Sequence, residues 1–354
     1  MKKRILIVID SLGAGGAERV ALNLAEALQK EGCALTIITV DNIVSYDLNE
    51  EILYKSLAFE KGFLDYYRYE KRLHKMIETL QEDGPFEKII VHLQKSTRLM
   101  KNYQHPKVIH VVHSTLSQAS LSGRSGLRKS LKVQRLKAIY DGLNIVAVSK
   151  GIADDIKAIG IVPTTLQVIY NPIDVDVLKQ KAMEESPCLD EKYIVYVGRL
   201  AASKRHDRAL EAYKKSGIKE KLLIVGEGDM REKIEENIKR LELENKVVLC
   251  GFQSNPYAII KRAKLLILTS DYEGLPTVLI EALSLGVPVI STDCPSGPRE
   301  ILQEDMPDAL VGVDDTEGFA KQIHTFVHVA RKIPLQLIER FNAQKIAKAY
   351  LQHL

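Results

Sequence analysis

The sequence predicts an α/β protein built from two Rossmann-like domains, each a doubly wound parallel sheet with helices on both faces. Short runs rich in β-branched residues alternate with amphipathic stretches of about 10 to 18 residues, and this alternation occurs twice along the chain. The length of 354 residues, with 45% hydrophobic and 27% charged residues, suits two separate cores and argues against a disordered chain.

Eleven runs are predicted to be strands. The first domain contains RILIVID, ALTIITV, KIIVHL, VIHVVH, NIVAVS and LQVIY, and the second contains YIVYVG, KLLIVG, KVVLCG, LLILTS and VPVIST. A polar, proline-punctuated stretch from Asp174 to Lys192 is predicted to link them. We therefore expect domains at residues 1–174 and 175–334, followed by a final helix at 335–354 that crosses back to the first domain.

The first apolar run is expected to be a strand rather than a signal sequence. Four residues, Met1-Lys2-Lys3-Arg4, precede ILIVI, and Asp10 ends the run at about half the length that a signal peptide needs. No other apolar run approaches the roughly 20 residues that cross a bilayer. The scattered cysteines have no metal-binding spacing, so we expect free thiols at Cys33, Cys188, Cys250 and Cys294.

Positive charge is concentrated in one part of the chain. The net charge is only +4, but residues 88–140 contain eleven Lys or Arg and no Asp or Glu. Two interpretations remain open, a solvated face and contact with anionic lipid head groups. A nucleic-acid partner is not expected, because no aromatic residue lies within the cluster from Arg124 to Lys137 to stack on bases. The expected location is the cytoplasm, peripheral at the inner face of the membrane.

The loop after the first strand has the sequence DSLGAGGAERV. Glu18 stands where a dinucleotide-binding fingerprint needs a third small residue, which disfavours NAD. Gly15 and Gly16 still give a flexible turn with exposed amides at a helix N-terminus, suited to a phosphate or a sugar hydroxyl. An ordinary tight turn is the alternative.

In the second domain, the loops after two strands carry candidate ligand-binding residues. Arg199 directly follows Gly198, and Lys204 comes five residues after Arg199, so the two cations can neutralise a diphosphate. A pair of surface cations is the alternative. The Gly-Glu-Gly turn around Glu227 would let a flat ring lie near the backbone, although this signal is weak by itself.

The segment SDYEGLPTVLIEALSLG places two glutamates around a helix start. Pro276 is predicted as the first helical residue and Gly286 as the C-terminal cap, so that the amides of Leu275, Thr277 and Val278 can hold an anion. Glu273 lies in the loop before this helix. Glu281 lies on its second turn, within an apolar run where a merely solvated charge would be out of place.

Together these residues resemble a family. The motifs Gly15-Gly16-Ala17-Glu18-Arg19, Gly198-Arg199-Leu200 with Lys204, Gly226-Glu227-Gly228 and Glu273 through Glu281 resemble retaining glycosyltransferases of family 4, which have the GT-B fold of two Rossmann-like domains facing across a cleft. The resemblance covers nearly the whole chain. Within the family, STDCPSGPREIL resembles bacterial enzymes that build lipopolysaccharide, O-antigen or lipid-linked oligosaccharides.

The resemblance implies transfer of a hexose or N-acetylhexosamine from a nucleotide-sugar, expected to be UDP-linked, to a membrane-associated saccharide in surface glycan synthesis. The donor would bind mostly to the second domain and the acceptor mostly to the first, with no cofactor and no protein nucleophile. The implied catalytic residues are Arg199, Lys204, Glu273 and His113. The implied donor-binding residues are Gly15, Gly16, Gly198, Glu227, Leu275, Pro276, Thr277 and Glu281.

Three histidines and one acidic pair need separate interpretation. The resemblance gives His113, at the end of a strand, a contact with the donor sugar or the reacting hydroxyl, and a packed core histidine is the alternative. His110 is expected to be packed, and His92 is ambiguous. Asp174-Val175-Asp176 matches a metal-binding D-x-D pattern but falls in the predicted linker, so no metal is expected. A same-fold sugar-nucleotide epimerase and a non-catalytic binding subunit remain alternative functions.

Overall fold

The computed structural model describes residues 2–13, 15–46, 48–59, 65–103, 105–121, 123, 125–184 and 192–352. The chain divides into two compact units. Unit 1 comprises Met1–Pro172 and Ala343–Leu354, and unit 2 comprises Ile173–Asn342.

Unit 1 is a parallel sheet of seven strands in the order β3-β2-β1-β4-β5-β6-β7. Its strands are β1 (Arg4–Ile9), β2 (Ala34–Thr39), β3 (Leu53–Ser56), β4 (Lys88–His92), β5 (Val108–Val112), β6 (Asn144–Ala147) and β7 (Thr165–Val168). Its helices before the chain enters unit 2 are α1 (Gly16–Lys30), α2 (Asp65–Leu80), α3 (Gln94–Met100), α4 (Leu116–Leu121), α5 (Gly126–Tyr140) and α6 (Lys150–Ile159).

Unit 2 is a parallel sheet of six strands in the order β10-β9-β8-β11-β12-β13. Its strands are β8 (Tyr193–Val197), β9 (Lys221–Val225), β10 (Val247–Gly251), β11 (Leu266–Leu268), β12 (Val289–Thr292) and β13 (Leu310–Val311). Its helices are α7 (Val175–Lys181), α8 (His206–Ser216), α9 (Arg231–Arg240), α10 (Tyr257–Arg262), α11 (Thr277–Ser284), α12 (Pro298–Leu302), α13 (Thr316–His328) and α14 (Leu335–Glu339).

Burial explains why the predicted strands were recognisable. Ile5 through Ile9 of β1 are all fully buried, as expected for a central parallel strand covered on both faces. All eleven predicted runs are strands, and the prediction of two parallel-sheet, Rossmann-like domains is confirmed. Strands β3 and β13 were not predicted, because β3 is a short edge strand with the partly polar sequence LYKS and β13 has only two residues.

The predicted linker and the predicted final helix differ from the structure. Part of the stretch 174–192 forms α7, and Asp174 caps that helix, with its Oδ1 accepting a hydrogen bond from the Val177 amide at 3.1 Å. The chain after Pro334 forms α14 in unit 2 and a separate helix, α15 (Ala343–Gln352), in unit 1. Apolar residues of α15 pack against α1, so the C-terminal helix completes the core of unit 1.

Cys33, Cys250 and Cys294 carry free thiols, and Cys188 lies outside the described residues. In the part of the chain that the structure describes, no helix is both long and apolar enough to span a bilayer.

Candidate active site

The strand order of unit 2 defines where its ligand site should lie. Strand β8 pairs with β9 on one side and with β11 on the other, so the chain connections run in opposite directions from β8. In such sheets the loops at the carboxyl ends of the two central strands separate and leave a crevice. The loops that follow β8 and β11 carry Arg199, Lys204 and Glu273, which the sequence predicted as catalytic residues.

Lys204 and Glu273 meet across this crevice. Nζ of Lys204 lies 2.6 Å from Oε1 of Glu273, and the same oxygen accepts a hydrogen bond from Ser270 Oγ at 2.5 Å. Glu273 is only 8% exposed, whereas the Lys204 side chain is 23% exposed. An ammonium group has three donors, so this ion pair leaves Lys204 further donors for a ligand.

The backbone around Lys204 is fixed by the strands on both sides. The Tyr196 hydroxyl donates to the Lys204 carbonyl at 2.7 Å, and Thr269 Oγ1 donates to the Arg205 carbonyl at 2.9 Å. The Asp271 amide donates to the Ser203 carbonyl at 2.8 Å. These bonds join the loop after β8 to the loop after β11, which explains how residues 69 positions apart form one ion pair.

Buried groups beside Glu273 are held in their uncharged forms. Burial, and secondarily the Glu273 carboxylate, raise the pKa of the Tyr196 hydroxyl. The same two causes, in the same order, raise the pKa of the Cys294 thiol to about 12. Cys294 is therefore a thiol rather than a nucleophilic thiolate near neutral pH. Ser270 and Tyr196 were not predicted as site residues. Ser270 lies three residues before Glu273 in the segment SDYEGLPTVLIEALSLG, and Tyr196 lies within an apolar strand.

Arg199 differs from Lys204 in its surroundings. It is exposed and makes no ion pair with the residues that the structure describes. The adjacent backbone is packed tightly, since a Cβ at Gly226 would collide with the Gly198 carbonyl, and Gly226 has a φ of +142°. The Leu200 amide also donates to the Glu227 carbonyl at 2.9 Å. Gly226 thus allows the loops after β8 and β9 to lie side by side, and the Arg199 side chain is exposed to solvent.

The Glu227 side chain has a partner that the sequence did not reveal. Its Oε1 accepts a hydrogen bond at 2.6 Å from Nη1 of Arg231, the first residue of α9. Any hydroxyl that binds Glu227 therefore shares the carboxylate with a guanidinium group.

Helix α11 begins one residue later than predicted. Pro276 occupies the N-cap position with an extended ψ of 93°, so Thr277 is the first helical residue. Gly286 follows the helix with a φ of +80°, as predicted for its C-terminal side. Leu275 and Glu281 are buried, and Glu281 is 6% exposed.

The turn before α11 is packed against the loop after β12. A Cβ at Gly297 would lie 2.5 Å from Pro276 Cδ, and Gly297 has a φ of +85°. The Ser296 hydroxyl donates to the Gly274 carbonyl at 2.9 Å. The Gly-Pro turn of the sequence therefore holds the N-terminus of α11 in place.

In unit 1 the corresponding crevice lies between β1 and β4, and it contains Asp10, which the sequence analysis did not select. Its Oδ1 accepts hydrogen bonds from the Ser96 amide at 2.6 Å and the Ser96 hydroxyl at 2.7 Å. Burial raises the pKa of Asp10, while the bonds from Ser96 oppose that shift. Lys95 lies beside this group and forms an ion pair with Asp41 at 2.5 Å.

The predicted glycine loop of unit 1 lies at the start of α1. Gly15 is the N-cap and Gly16 the first helical residue, while Ala14 lies outside the described residues. The Tyr46 hydroxyl donates to the Gly15 carbonyl at 3.2 Å. A Cβ at Gly15 would collide with the Glu18 carboxylate, so the glycine leaves room for an acidic side chain at this helix N-terminus.

His113 lies one residue beyond β5, at the carboxyl edge of unit 1, and contacts another histidine. Its Nε2 is 2.8 Å from Nδ1 of His92, the last residue of β4. His92 and His110 are buried, and His113 is half-buried. The structure thus places the ambiguous His92 beside the predicted catalytic His113, and it places His110 within the sheet as expected.

No group of three or more His, Cys, Asp or Glu side chains with metal-binding geometry occurs among residues that the structure describes. The site of unit 2 therefore offers two cations, two buried carboxylates and a helix N-terminus at the end of a doubly wound sheet.

Comparisons with known proteins agree with this geometry. Residues 14–177 match the model of Glycosyltransferase Family 4, and residues 179–343 match the model of Glycosyl transferases group 1. The chain is a glycosyltransferase with the GT-B fold. It belongs to glycosyltransferase family 4, since the two models together span nearly the whole chain.

The relatives include bacterial enzymes of glycan synthesis. An N-acetylgalactosaminyltransferase of Campylobacter jejuni, named for its N-acetylgalactosamine-N,N'-diacetylbacillosaminyl-diphospho-undecaprenol substrate, is 28% identical over 92% of this chain and 90% of its own length. The lipopolysaccharide 1,6-galactosyltransferase of Escherichia coli K12 is 31% identical over 56% of this chain and 58% of its own length. The Anabaena protein Alr3699/HepE, solved with UDP and glucose, has a TM-score of 0.71 at 18% identity, covering 99% of this chain and 95% of its own.

Proposed function

We propose that this glycosyltransferase moves a hexose or an N-acetylhexosamine from a UDP-linked donor to a lipid-linked saccharide, with retention of anomeric configuration, in the synthesis of a bacterial surface glycan. The observation that carries the proposal is the ion pair of Lys204 and Glu273, together with the exposed Arg199, which makes no ion pair with a described residue. The names of the Campylobacter and Escherichia relatives support the acceptor class.

In the proposed donor complex, the two cations bind the diphosphate. Arg199 is exposed and unpaired within the described residues, and Lys204 keeps donors beyond the one that contacts Glu273. Negative charge grows on the diphosphate as the bond to the sugar breaks. Both cations therefore stabilise the transition state more than the bound substrate, which is the condition for raising turnover.

The two carboxylates have different proposed roles. Glu281 is buried on α11 and binds the ribose hydroxyls, while Gly198 and Glu227 border the nucleotide. Glu273 orients Lys204 through their 2.6 Å contact and binds a hydroxyl of the transferred sugar. Leu275, Pro276 and Thr277 place the backbone at the start of α11 close to the sugar and phosphate. No metal is required in this arrangement, since side-chain cations neutralise the diphosphate.

The acceptor is proposed to bind unit 1. The leaving phosphate is proposed to assist removal of the proton from the acceptor hydroxyl, which attacks the same face of the donor sugar. Gly15 and Gly16 are proposed to contact the donor, and the half-buried His113 is proposed to contact the donor sugar or the reacting hydroxyl. These residues lie at the carboxyl edge of the unit 1 sheet, where polar ligands bind in such folds.

Helix α5 is the proposed contact with an anionic membrane. Leu127 and Leu131, one turn apart, are 76% and 48% exposed on this helix. Basic residues surround them, and each contributes about 1 kcal/mol of attraction near an anionic leaflet. Arg124, which the sequence analysis included in this surface, lies outside the described residues. The described basic residues of α5 are Arg128, Lys129, Lys132, Arg135 and Lys137.

A panel of nucleotide-sugars, each incubated with the purified protein and a short undecaprenyl-diphosphate-linked saccharide, tests the proposal. Release of free UDP together with an extended, α-linked product from an α-linked donor is the expected result. Product with inverted configuration would contradict retention, and a donor set limited to GDP- or dTDP-sugars would contradict the UDP assignment. Donor hydrolysis without an extended product would contradict the acceptor class.

A further inference from the structure

Two histidines form a hydrogen-bonded pair at the carboxyl edge of unit 1. His92 is the last residue of β4 and pairs in register with Val111 of β5. Val111 lies two residues before His113 in the chain. Nδ1 of His92 lies 2.8 Å from Nε2 of His113, and the ring centroids are 5.1 Å apart. The distance is that of an N–H···N hydrogen bond, so one of these two nitrogens carries the proton between them and the other accepts it.

Both rings are neutral near pH 7. Burial lowers the pKa of His92 well below its ordinary value, and the neighbouring His113 lowers it further. Burial also lowers the pKa of His113 to about 4. A neutral imidazole has one N–H and one lone pair, so the pair has two forms. Either His92 donates from Nδ1, or His113 donates from Nε2.

The surroundings of His92 distinguish between these forms. Its side chain is 0% exposed, and its Nε2 is buried without a hydrogen-bond partner in the described protein. If His113 donated, the proton of His92 would lie on this Nε2 as a buried, unpaired N–H group. Orphaned buried N–H groups are rarer than under-satisfied acceptors, and leaving a buried donor unpaired costs about 1–3 kcal/mol. The form in which His92 donates from Nδ1 is therefore favoured.

The hydrogen bond from His92 determines what His113 offers to a ligand. With its Nε2 lone pair occupied, neutral His113 carries its proton on Nδ1, which has no hydrogen-bond partner among the described residues. We propose that His92 is a positioning residue that makes His113 a hydrogen-bond donor toward a ligand oxygen, such as a sugar hydroxyl, rather than a general base. This inference rests on the proposed function only for the role of His113 in transfer.

The positions of the protons can be measured directly in the wild-type protein. In the full chain with ¹⁵N-labelled histidine, two-dimensional NMR through the ring protons separates protonated from unprotonated ring nitrogens. The His113→Gln variant identifies the His113 signals by their loss. We expect a proton on Nδ1 of His113 and on Nδ1 of His92 at pH 7. A proton on Nε2 of His113 would overturn the proposal, whatever the transfer activity.

Two substitutions of His92 test the consequence for the reaction. Asn presents its side-chain amide near the position of Nδ1 and can still donate to His113, whereas Phe fills the space without a donor. By analogy with other histidines that lose an orienting partner, we expect His92→Asn to keep kcat/KM within about threefold and His92→Phe to lower it about 10- to 100-fold.

A double-variant cycle separates positioning from a structural effect. In a His113→Phe background, adding His92→Phe should change kcat/KM little, because the residue that His92 orients is already absent. An equal loss in both backgrounds would overturn the positioning role. If His92→Phe does not fold, the wild-type spectrum and the His92→Asn variant still decide the question. Full activity of His113→Phe would overturn a role of either histidine in transfer, while product formation would still establish a glycosyltransferase.

Discussion

Replacing Lys204 and Arg199 one at a time should lower turnover equally but affect stability differently. If both cations balance charge on the leaving diphosphate, each alanine variant should lose about 10²-fold or more in kcat, the usual loss for one transition-state donor. This corresponds to about 2.7 kcal/mol of transition-state stabilisation at 1.36 kcal/mol per factor of ten.

The difference in stability follows from the burial of their surroundings. Lys204 pairs with Glu273, which is 8% exposed, so Lys204→Ala leaves a buried carboxylate without its cation. We expect the free energy of unfolding of unit 2 to fall by about 1–3 kcal/mol, the cost of leaving a buried polar group unpaired. Arg199 is exposed and makes no ion pair within the described chain. Arg199→Ala should therefore change the free energy of unfolding by at most about 0.5 kcal/mol.

The assay combines nucleotide release with urea unfolding of the same samples. In the Lys204→Ala background, Glu273→Gln should recover part of the lost stability, because it removes the buried charge that Lys204 no longer compensates. Turnover should not recover, because the proposed contact of Lys204 with the diphosphate is still absent. Near wild-type turnover of Arg199→Ala would remove that residue from the mechanism. A Lys204→Ala variant as stable as wild type would show that the ion pair contributes little to folding.

Three further outcomes are expected. Transfer should persist in excess EDTA because side-chain cations serve the diphosphate, and loss of activity that Mg²⁺ restores would contradict this. Co-sedimentation with anionic vesicles should weaken at about 0.5 M salt, where exposed charges are screened within a few ångströms. Reversing three cations of α5 should also weaken co-sedimentation, whereas reversing three cations of unit 2 should not. Equal binding to neutral vesicles would show that α5 is only a solvated face. Stability should fall as the pH drops from about 6.5 to 4, because burial lowers the pKa of His206 to about 4 and the unfolded chain takes up a proton that the folded chain excludes. Urea midpoints at pH 7 and 5 should differ less in His206→Phe, which keeps a ring against Tyr196, than in wild type. In the vesicle experiment, the three cations reversed on α5 are Arg128, Lys129 and Arg135. The three cations reversed in unit 2 as the matched control are Lys214, Lys233 and Lys239.

The sequence was sufficient where a property repeats along the chain or lies within one loop. Continuous apolar runs predicted the central strands, because strands buried on both faces consist mostly of apolar residues. The glutamates around α11 and the cations after β8 were visible as local spacing. The start of α11 was misplaced by one residue, because proline favours the first helical position but ψ of Pro276 is extended.

Contacts between distant segments were not predictable in the same way. Nothing near Lys204 in the sequence indicates that its ammonium group meets Glu273, and the contact exists because β8 and β11 are neighbours in the sheet. Asp10 and Ser96 meet for the same reason at the ends of β1 and β4. Helix α7 was mistaken for linker because its seven residues are too few to show a helical apolar period.

His92 shows how a residue with no motif acquires a defined chemical role from topology. A buried histidine at a strand end is usually a core residue, and the sequence left it ambiguous. Parallel pairing of β4 and β5 places it beside His113, and the absence of a described partner for its Nε2 then fixes the direction of one hydrogen bond. The direction of that bond decides whether His113 donates or accepts. A property of the proposed active site thus depends on a side chain that no ligand needs to contact.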